Sequence, residues 1–155
     1  MTTFVSQNYG AGNLTRCHKA TRVGFNLTMF MIVVLSALAC LFADELLALF
    51  NDNPAVISVG RIRIYYIIGF YFLCVFIEIL SGALRGYGYS LPPALLMLVT
   101  ICGVRIAWIY TVFAAEPTFT SIMIAYPVSW TATAVLLIGI YLFYRKNIKP
   151  LAPRL

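Results

Sequence analysis

Charged residues are scarce in this sequence, and acidic residues are the scarcest of them. Of 155 residues, 11 are Lys or Arg, 5 are Asp or Glu, and 1 is His. Charged residues make up 10% of the chain, against about 25% in typical soluble domains. Hydrophobic residues make up 62%, and the mean hydropathy is +0.91. A chain this short cannot hide so much apolar surface in its own core, so we expect a lipid bilayer to surround much of it.

Cysteine and histidine are too few and too scattered for a metal site or a disulfide framework. Cys17, Cys40, Cys74 and Cys102 form no CxxC pair, and the lone His18 has only Cys17 beside it. An enzyme would need a nucleophile close to a base and an orienting group. His18 lies near a predicted membrane surface and Glu78 is isolated. We therefore expect no enzyme, no catalytic residue, no metal and no resident cofactor.

The 11 basic residues do not form one polar face, as they would in a protein that binds nucleic acid. Apart from Arg105, they lie instead near the ends of four long apolar runs, which is the pattern of a membrane protein. A bilayer core requires about 20 mainly apolar residues per helix. The sequence thus predicts an all-α membrane protein with four transmembrane helices, at about 23–43, 54–85, 91–115 and 119–144.

The flanking segments complete the predicted organisation. Residues 1–22 are expected to contain the end of a preceding helix and a cytoplasmic basic loop, and residues 146–155 a cytoplasmic basic tail. Asn53 followed by Pro54 predicts a helix start. Pro92 and Pro93 predict another. Pro127, inside the fourth span, is expected to kink it.

Charge asymmetry predicts the orientation. The charged residues before the first span, between the second and third, and after the fourth are all basic: Arg16, Lys19, Arg22, Arg85, Arg145, Lys146, Lys149 and Arg154. The opposite side carries acids, namely Asp44, Glu45, Asp52 and Glu116, opposed by Arg61 and Arg63. Under the positive-inside rule, both termini are expected to be cytoplasmic.

Two ionisable residues lie inside the predicted apolar slab, Glu78 and Arg105. Such groups are costly in lipid and normally face a cavity or a partner. The helical neighbours of Glu78 are small or polar, so we expect it to face the protein interior. There it would be a proton or cation site, or a structural acid hydrogen-bonded to Ser81 or to a neighbouring helix. Glu78 and Arg105 are expected to differ in depth by about 10 Å, which disfavours a direct ion pair between them. We expect Arg105, as a cavity or structural charge, to bind carbonyls or to snorkel towards the membrane surface, stacked on Trp108 one turn away.

Small residues suggest where helices approach closely. Gly82 and Gly86 form a GxxxG step, which permits close contact with another helix. The series Ala125, Ser129 and Thr133 on the fourth span is interpreted as small-residue packing.

Four short motifs occur in order at residues 4–13, 82–92, 102–108 and 126–130, and they resemble those of MATE (multidrug and toxic compound extrusion) transporters. Residues 4–13 (FVSQNYGAGN) resemble the end of the second helix of each lobe. Residues 82–92 (GALRGYGYSLP) are similar to the glycine-arginine turn, and residues 102–108 (CGVRIAW) and 126–130 (YPVSW) resemble the last two helices. Gln7, Gly10, Gly12, Arg85 and Gly86 match motif positions, and the resemblance implies that they are structural elements of the cytoplasmic side, with glycines suited to positive φ.

The resemblance implies a twelve-helix transporter of two lobes, of which this chain would supply part of the C-terminal lobe. The chain begins inside a motif, so a fragment or truncated product is expected, with the N-terminal lobe of the parent as its missing partner. The parent would exchange H+ or Na+ for small organic, often cationic, drugs at the plasma membrane. Glu78 lies on the helix that carries a coupling carboxylate in many members. Two alternatives stay open: a lipid-linked sugar flippase of the same superfamily, and a non-transporting four-helix membrane assembly protein.

Overall fold

The structure is a computed structural model that describes residues 1–149, and within that range every regular element is helical. The predicted all-α membrane fold is confirmed. The predicted basic tail comprises residues 146–155. Its residues 150–155, which include Arg154, lie outside the described residues. Eight α-helices follow in order: α1 Thr2–Gly10, α2 Leu14–Leu41, α3 Ala43–Ala48, α4 Pro54–Arg63, α5 Phe72–Gly86, α6 Leu91–Met97, α7 Gly103–Trp108 and α8 Phe119–Asn147.

Within residues 1–149, three continuous helices are long and apolar enough to cross a membrane. Two are α2 and α8. The third is Leu91–Phe113, in which a π-helical segment at Leu98–Cys102 joins α6 to α7 and a second one at Ile109–Phe113 follows α7. The predicted second span is instead a bent pair. Pro54–Ile68 and Phe72–Gly86 meet at an angle of 40°, so the number of spans reaches four only if this pair counts as one.

The bend in this pair has a local cause. A π-helical segment, Ile64–Ile68, precedes the break, and π turns disturb the regular hydrogen bonding of a helix. Gly69 follows at once, and a Cβ at this position would collide with the carbonyl oxygen of Tyr65. A long apolar run indicates a span but carries no signal for such an angle.

The beginning of the chain differs from the predicted basic loop. The connection between α1 and α2 is limited to residues 11–13, where Gly12 adopts a φ of 73°. Asn13 then caps α2, since its side-chain oxygen accepts a hydrogen bond of 3.0 Å from the backbone N–H of Arg16. Lys19 and Arg22 therefore lie on the first turns of a helix, because the cap starts that helix well before the apolar run.

Other helix ends agree with the boundary chemistry. Asn53 accepts a hydrogen bond of 3.0 Å from the N–H of Ala55, and Pro54 occupies the first helical position. The turn after α5 contains Gly88 with a φ of 93°. α8 continues as one helix through Pro127.

α8 is the central helix of the group. In the most apolar 18-residue stretch of α8, 44% of the residues are buried, whereas no residue of the corresponding stretch of α2 is buried. Every fourth residue of α8 lies buried against its neighbours: Ser121, Ala125, Ser129, Thr133, Leu137 and Tyr141. This row is an i±4 ridge, the kind of surface on which helices pack. The outer side of α2 carries exposed large apolar residues, such as Phe30 and Leu35, as a lipid-facing helix does.

The glycine step on α5 brings α1 into close contact. A Cβ on Gly86 would lie 2.6 Å from Cβ of Val5, and one on Gly82 would lie 3.3 Å from Cβ of Met1. The Thr2 hydroxyl donates to the carbonyl oxygen of Gly82 at 3.1 Å. The two glycines are needed for space rather than for positive φ, which only Gly12 and Gly88 adopt within residues 1–149.

Candidate functional site

Arg105 is half-buried between the third span and α8, where two residues of α8 hold it. Its Nε–H donates to the hydroxyl oxygen of Ser129 at 3.2 Å. Its guanidinium carbon lies 4.2 Å from the centre of the Tyr126 ring, a cation–π contact. The predicted stacking on Trp108 is wrong. The indole N–H of Trp108 donates to the carbonyl oxygen of Ser121 at 2.8 Å, so the Trp108 side chain also contacts α8.

Another contact between the third span and α8 lies closer to the end of the helices that carries most of the basic residues. The hydroxyls of Thr100 and Thr133 share a hydrogen bond of 2.8 Å, and Thr133 is fully buried. We call this row of interhelical contacts the polar seam; it consists of Thr100, Arg105, Trp108, Ser121, Tyr126, Ser129 and Thr133. Each contact is modest, since interhelical hydrogen bonds in membranes average about 0.6 kcal/mol. Together they fix the register of the third span on α8.

Sequence reasoning had found only part of the seam. It interpreted Ser129 and Thr133 as packing residues, and both are fully buried. It did not single out Thr100 or Ser121, and it noted Tyr126 only as the first residue of the motif at 126–130. Ser121 could have been found by extending the four-residue spacing of Ser129 and Thr133 two steps backwards. Nothing in the sequence distinguishes Thr100 from other threonines, because its partner lies 33 residues away.

Glu78 lies on the face of α5 that the other described helices leave uncovered. Its side chain is exposed, and within residues 1–149 its carboxylate has no hydrogen bond or ion pair. Ser81 donates to the backbone carbonyl of Glu78 at 3.4 Å, not to the carboxylate. The prediction that Glu78 faces the interior is therefore wrong for this part of the chain. The cause is packing: α1, α2 and α8 contact the remaining faces of α5.

Glu78 and Arg105 do not pair directly, as their depths had indicated. Over the described residues, the ion pair present is Arg61 with Asp44, at 3.1 Å on the surface. Within residues 1–149, Arg105 therefore does not neutralise the Glu78 carboxylate. An unpaired carboxylate can accept a proton or bind a cation.

The residues that match the glycine-containing motifs gather at the basic end of the helices. Gln7 is exposed on α1 and accepts a hydrogen bond from the N–H of Ala11 through its backbone carbonyl. Gly10 has open space around the position of a Cβ. Arg85 lies in the last turn of α5, where a cation interacts favourably with the helix dipole. Their structural role remains a prediction.

No group of three or more His, Cys, Asp or Glu side chains suited to a metal ion occurs within residues 1–149.

Arg105→Lys is expected to lower stability by about 0.5–1 kcal/mol, because it keeps the charge but loses the Nε donor and the planar stacking on Tyr126. Thermal unfolding of the purified protein in detergent measures the effect. Arg63→Lys is the matched control, since Arg63 is exposed at the end of α4. Equal unfolding midpoints for the two variants would show that the contacts with Ser129 and Tyr126 contribute nothing.

These features define a multi-pass α-helical membrane protein that has a polar seam between two of its helices and a carboxylate that is unpaired within residues 1–149. The sequence model of one family, MatE, matches residues 1–111. That match covers more than half of the chain, and the chain belongs to the MatE family.

Curated relatives agree with this family. The chain is 28% identical over 106 residues to a probable multidrug resistance protein NorM of Thermotoga maritima, covering 68% of this chain and 23% of that protein. It is 29% identical over 103 residues to a NorM protein of Aromatoleum aromaticum, covering 66% and 22% respectively. It is 23% identical over 145 residues to a probable multidrug resistance protein YoeA of Bacillus subtilis, covering 93% and 31%. The chain thus spans 22 to 31% of the length of these relatives. No solved structure matches it.

Proposed function

We propose that this chain forms part of a multidrug exporter that exchanges H+ or Na+ for small organic, often cationic, drugs. The relatives named for multidrug resistance support this proposal. The chain would supply the end of the eighth helix and the ninth to twelfth helices of a C-terminal lobe, with an N-terminal lobe as its partner. Its family of transporters also supports the prediction that it is not an enzyme.

The observation that carries the coupling proposal is the state of Glu78. Four of the five acids lie outside the predicted apolar slab, at positions 44, 45, 52 and 116. Glu78 is the remaining one, and its carboxylate is unpaired within residues 1–149. A group that must release its cation in each cycle cannot be locked in a permanent ion pair, because the cation would then compete with a fixed partner. The free carboxylate meets this requirement.

Plasma-membrane localisation with both termini cytoplasmic completes the proposal. One side of the helices carries the basic residues at the start of α2, in the last turn of α5 and in the last turn of α8, and the α3–α4 region with its acids lies on the other side. The positive-inside rule places the basic side in the cytoplasm.

Export is tested by expressing the chain from its native locus, together with any coding sequence in frame before Met1, in cells that lack their own drug exporters. We expect cells to accumulate less of a cationic dye such as ethidium. Collapse of either the H+ gradient or the Na+ gradient should abolish this difference in dye accumulation. The gradient whose collapse has this effect identifies the coupling ion.

Dye extrusion that persists after both gradients have collapsed would contradict the proposal. Translocation of a lipid-linked sugar without drug export would favour the flippase. Correct membrane insertion with no transport of either substrate would favour the assembly protein.

A further inference from the structure

A partly open cavity of about 270 Å³ lies at the basic end of α2, α5 and α8. It is separate from the polar seam and from Glu78. Its wall has ten residues: His18, Thr21, Arg22, Phe25, Phe76, Leu80, Ile138, Tyr141, Leu142 and Arg145. Polar groups and apolar groups occupy opposite ends of this wall.

The polar end is strongly basic. Arg22 and Arg145 lie there beside His18, and none of the five acids of the chain lines the cavity. Neither arginine forms a salt bridge with any residue from 1 to 149. Nε2 of His18 is buried without a hydrogen-bond partner in the same range. Two unpaired guanidinium groups on one wall repel each other and favour an anion between them.

The apolar end lies deeper in the membrane. Phe25 is seven residues beyond His18 on α2, which is about 10 Å along the helix. Phe25 and Phe76 meet edge to face with their ring centres 4.9 Å apart, and Ile138 continues this wall on α8. A ligand that fills the cavity therefore needs an anionic head and an apolar tail.

We propose that this cavity binds an anionic phospholipid from the leaflet on the basic side. Its phosphate lies between Arg22 and Arg145, and one acyl chain extends past Phe25 and Phe76. Basic pockets between helices on the cytoplasmic side are suited to such headgroups. Arginine suits the phosphate because its planar guanidinium can form two parallel hydrogen bonds. An organic cation, the substrate class of the proposed export, would be repelled from this site.

Native mass spectrometry of the purified chain, released from detergent with added lipid, tests the proposal. Phosphatidylglycerol is expected to bind about tenfold more tightly than phosphatidylcholine. The double variant Arg22→Gln with Arg145→Gln is expected to lose this preference. The matched control, Arg16→Gln with Lys146→Gln, removes the same charge from the same side at exposed positions outside the cavity, and it should keep the preference.

Equal binding of the two lipids by the wild type, or an equal loss in the control variant, would overturn the proposal in favour of general surface charge. Displacement of the lipid by millimolar inorganic phosphate would overturn it in favour of a site for free phosphate.

A second variant tests the apolar end without changing charge. Ile138→Trp should fill the deeper end and weaken binding of long-chain phosphatidylglycerol several-fold, while a short-chain analogue with the same headgroup still binds. Circular dichroism and size-exclusion chromatography confirm that each variant is folded. Unchanged binding of the long-chain lipid to the folded variant would refute the placement of the acyl chain.

Discussion

Glu78→Gln is expected to abolish gradient-driven drug export, lowering it by at least about tenfold, to the background of cells without the transporter. Glutamine has nearly the same size and the same helical preference as glutamate, but it can neither release a proton nor carry a charge. Since Glu78 is exposed and its carboxylate has no partner within residues 1–149, the substitution removes no contact of the fold. Efflux of a cationic dye from cells, measured across a range of external pH and Na+ concentrations, shows the effect.

Glu116→Gln is the matched control for this experiment. Glu116 is also exposed and lies in the connection before α8, outside the spans, so its replacement should leave export unchanged at equal amounts of protein in the membrane. Glu78→Asp should retain part of the activity, because it keeps a carboxylate. Wild-type efflux by Glu78→Gln at every pH and Na+ concentration would remove Glu78 from the coupling mechanism, while drug export by the protein could still stand.

Gly86→Ala is expected to destabilise the protein by about 1–3 kcal/mol through overpacking. The added Cβ would lie 2.6 Å from Cβ of Val5 and 2.9 Å from the backbone carbonyl oxygen of Thr2. A backbone atom cannot move aside as a flexible side chain does, so α1 must shift away from α5. The better helix propensity of alanine offsets up to about 1 kcal/mol of this cost. Thermal unfolding in detergent measures the change, and limited proteolysis shows whether α1 has become accessible.

Gly103→Ala provides the opposite expectation with the same chemical change. No atom lies within 4 Å of a Cβ built on Gly103, so alanine should be neutral or stabilising there. A variant Gly86→Ala as stable as Gly103→Ala would mean that α1 does not depend on the glycine step for its position.

Local features of the fold could be predicted because their causes are local. The helix start at Pro54 depends on Asn53, which is adjacent. The GxxxG step of Gly82 and Gly86 indicated a close approach correctly, since small residues four apart always leave a groove on a helix. The sequence could not name α1 as the helix that fills this groove, because that contact joins residues 80 positions apart.

The site was less predictable, and Arg105 shows why. Trp108, one turn away, was a reasonable stacking partner by sequence spacing. In the structure both side chains turn to α8, where Tyr126 and the carbonyl oxygen of Ser121 offer better partners. Helical spacing determines which residues share a face, but it does not determine which neighbouring helix meets that face.

The sequence by itself indicated that lipid surrounds this protein, where its long apolar runs lie, and that Glu78 and Arg105 are the two charges inside those runs. These properties follow from the cost of transferring polar groups into hydrocarbon, a sum over nearby residues. The tertiary structure alone decided that α5 presents Glu78 on an uncovered face, that Arg105 is held by α8, and that Arg22 and Arg145 border one cavity. These properties depend on how helices pack side by side, and packing joins residues far apart in the chain.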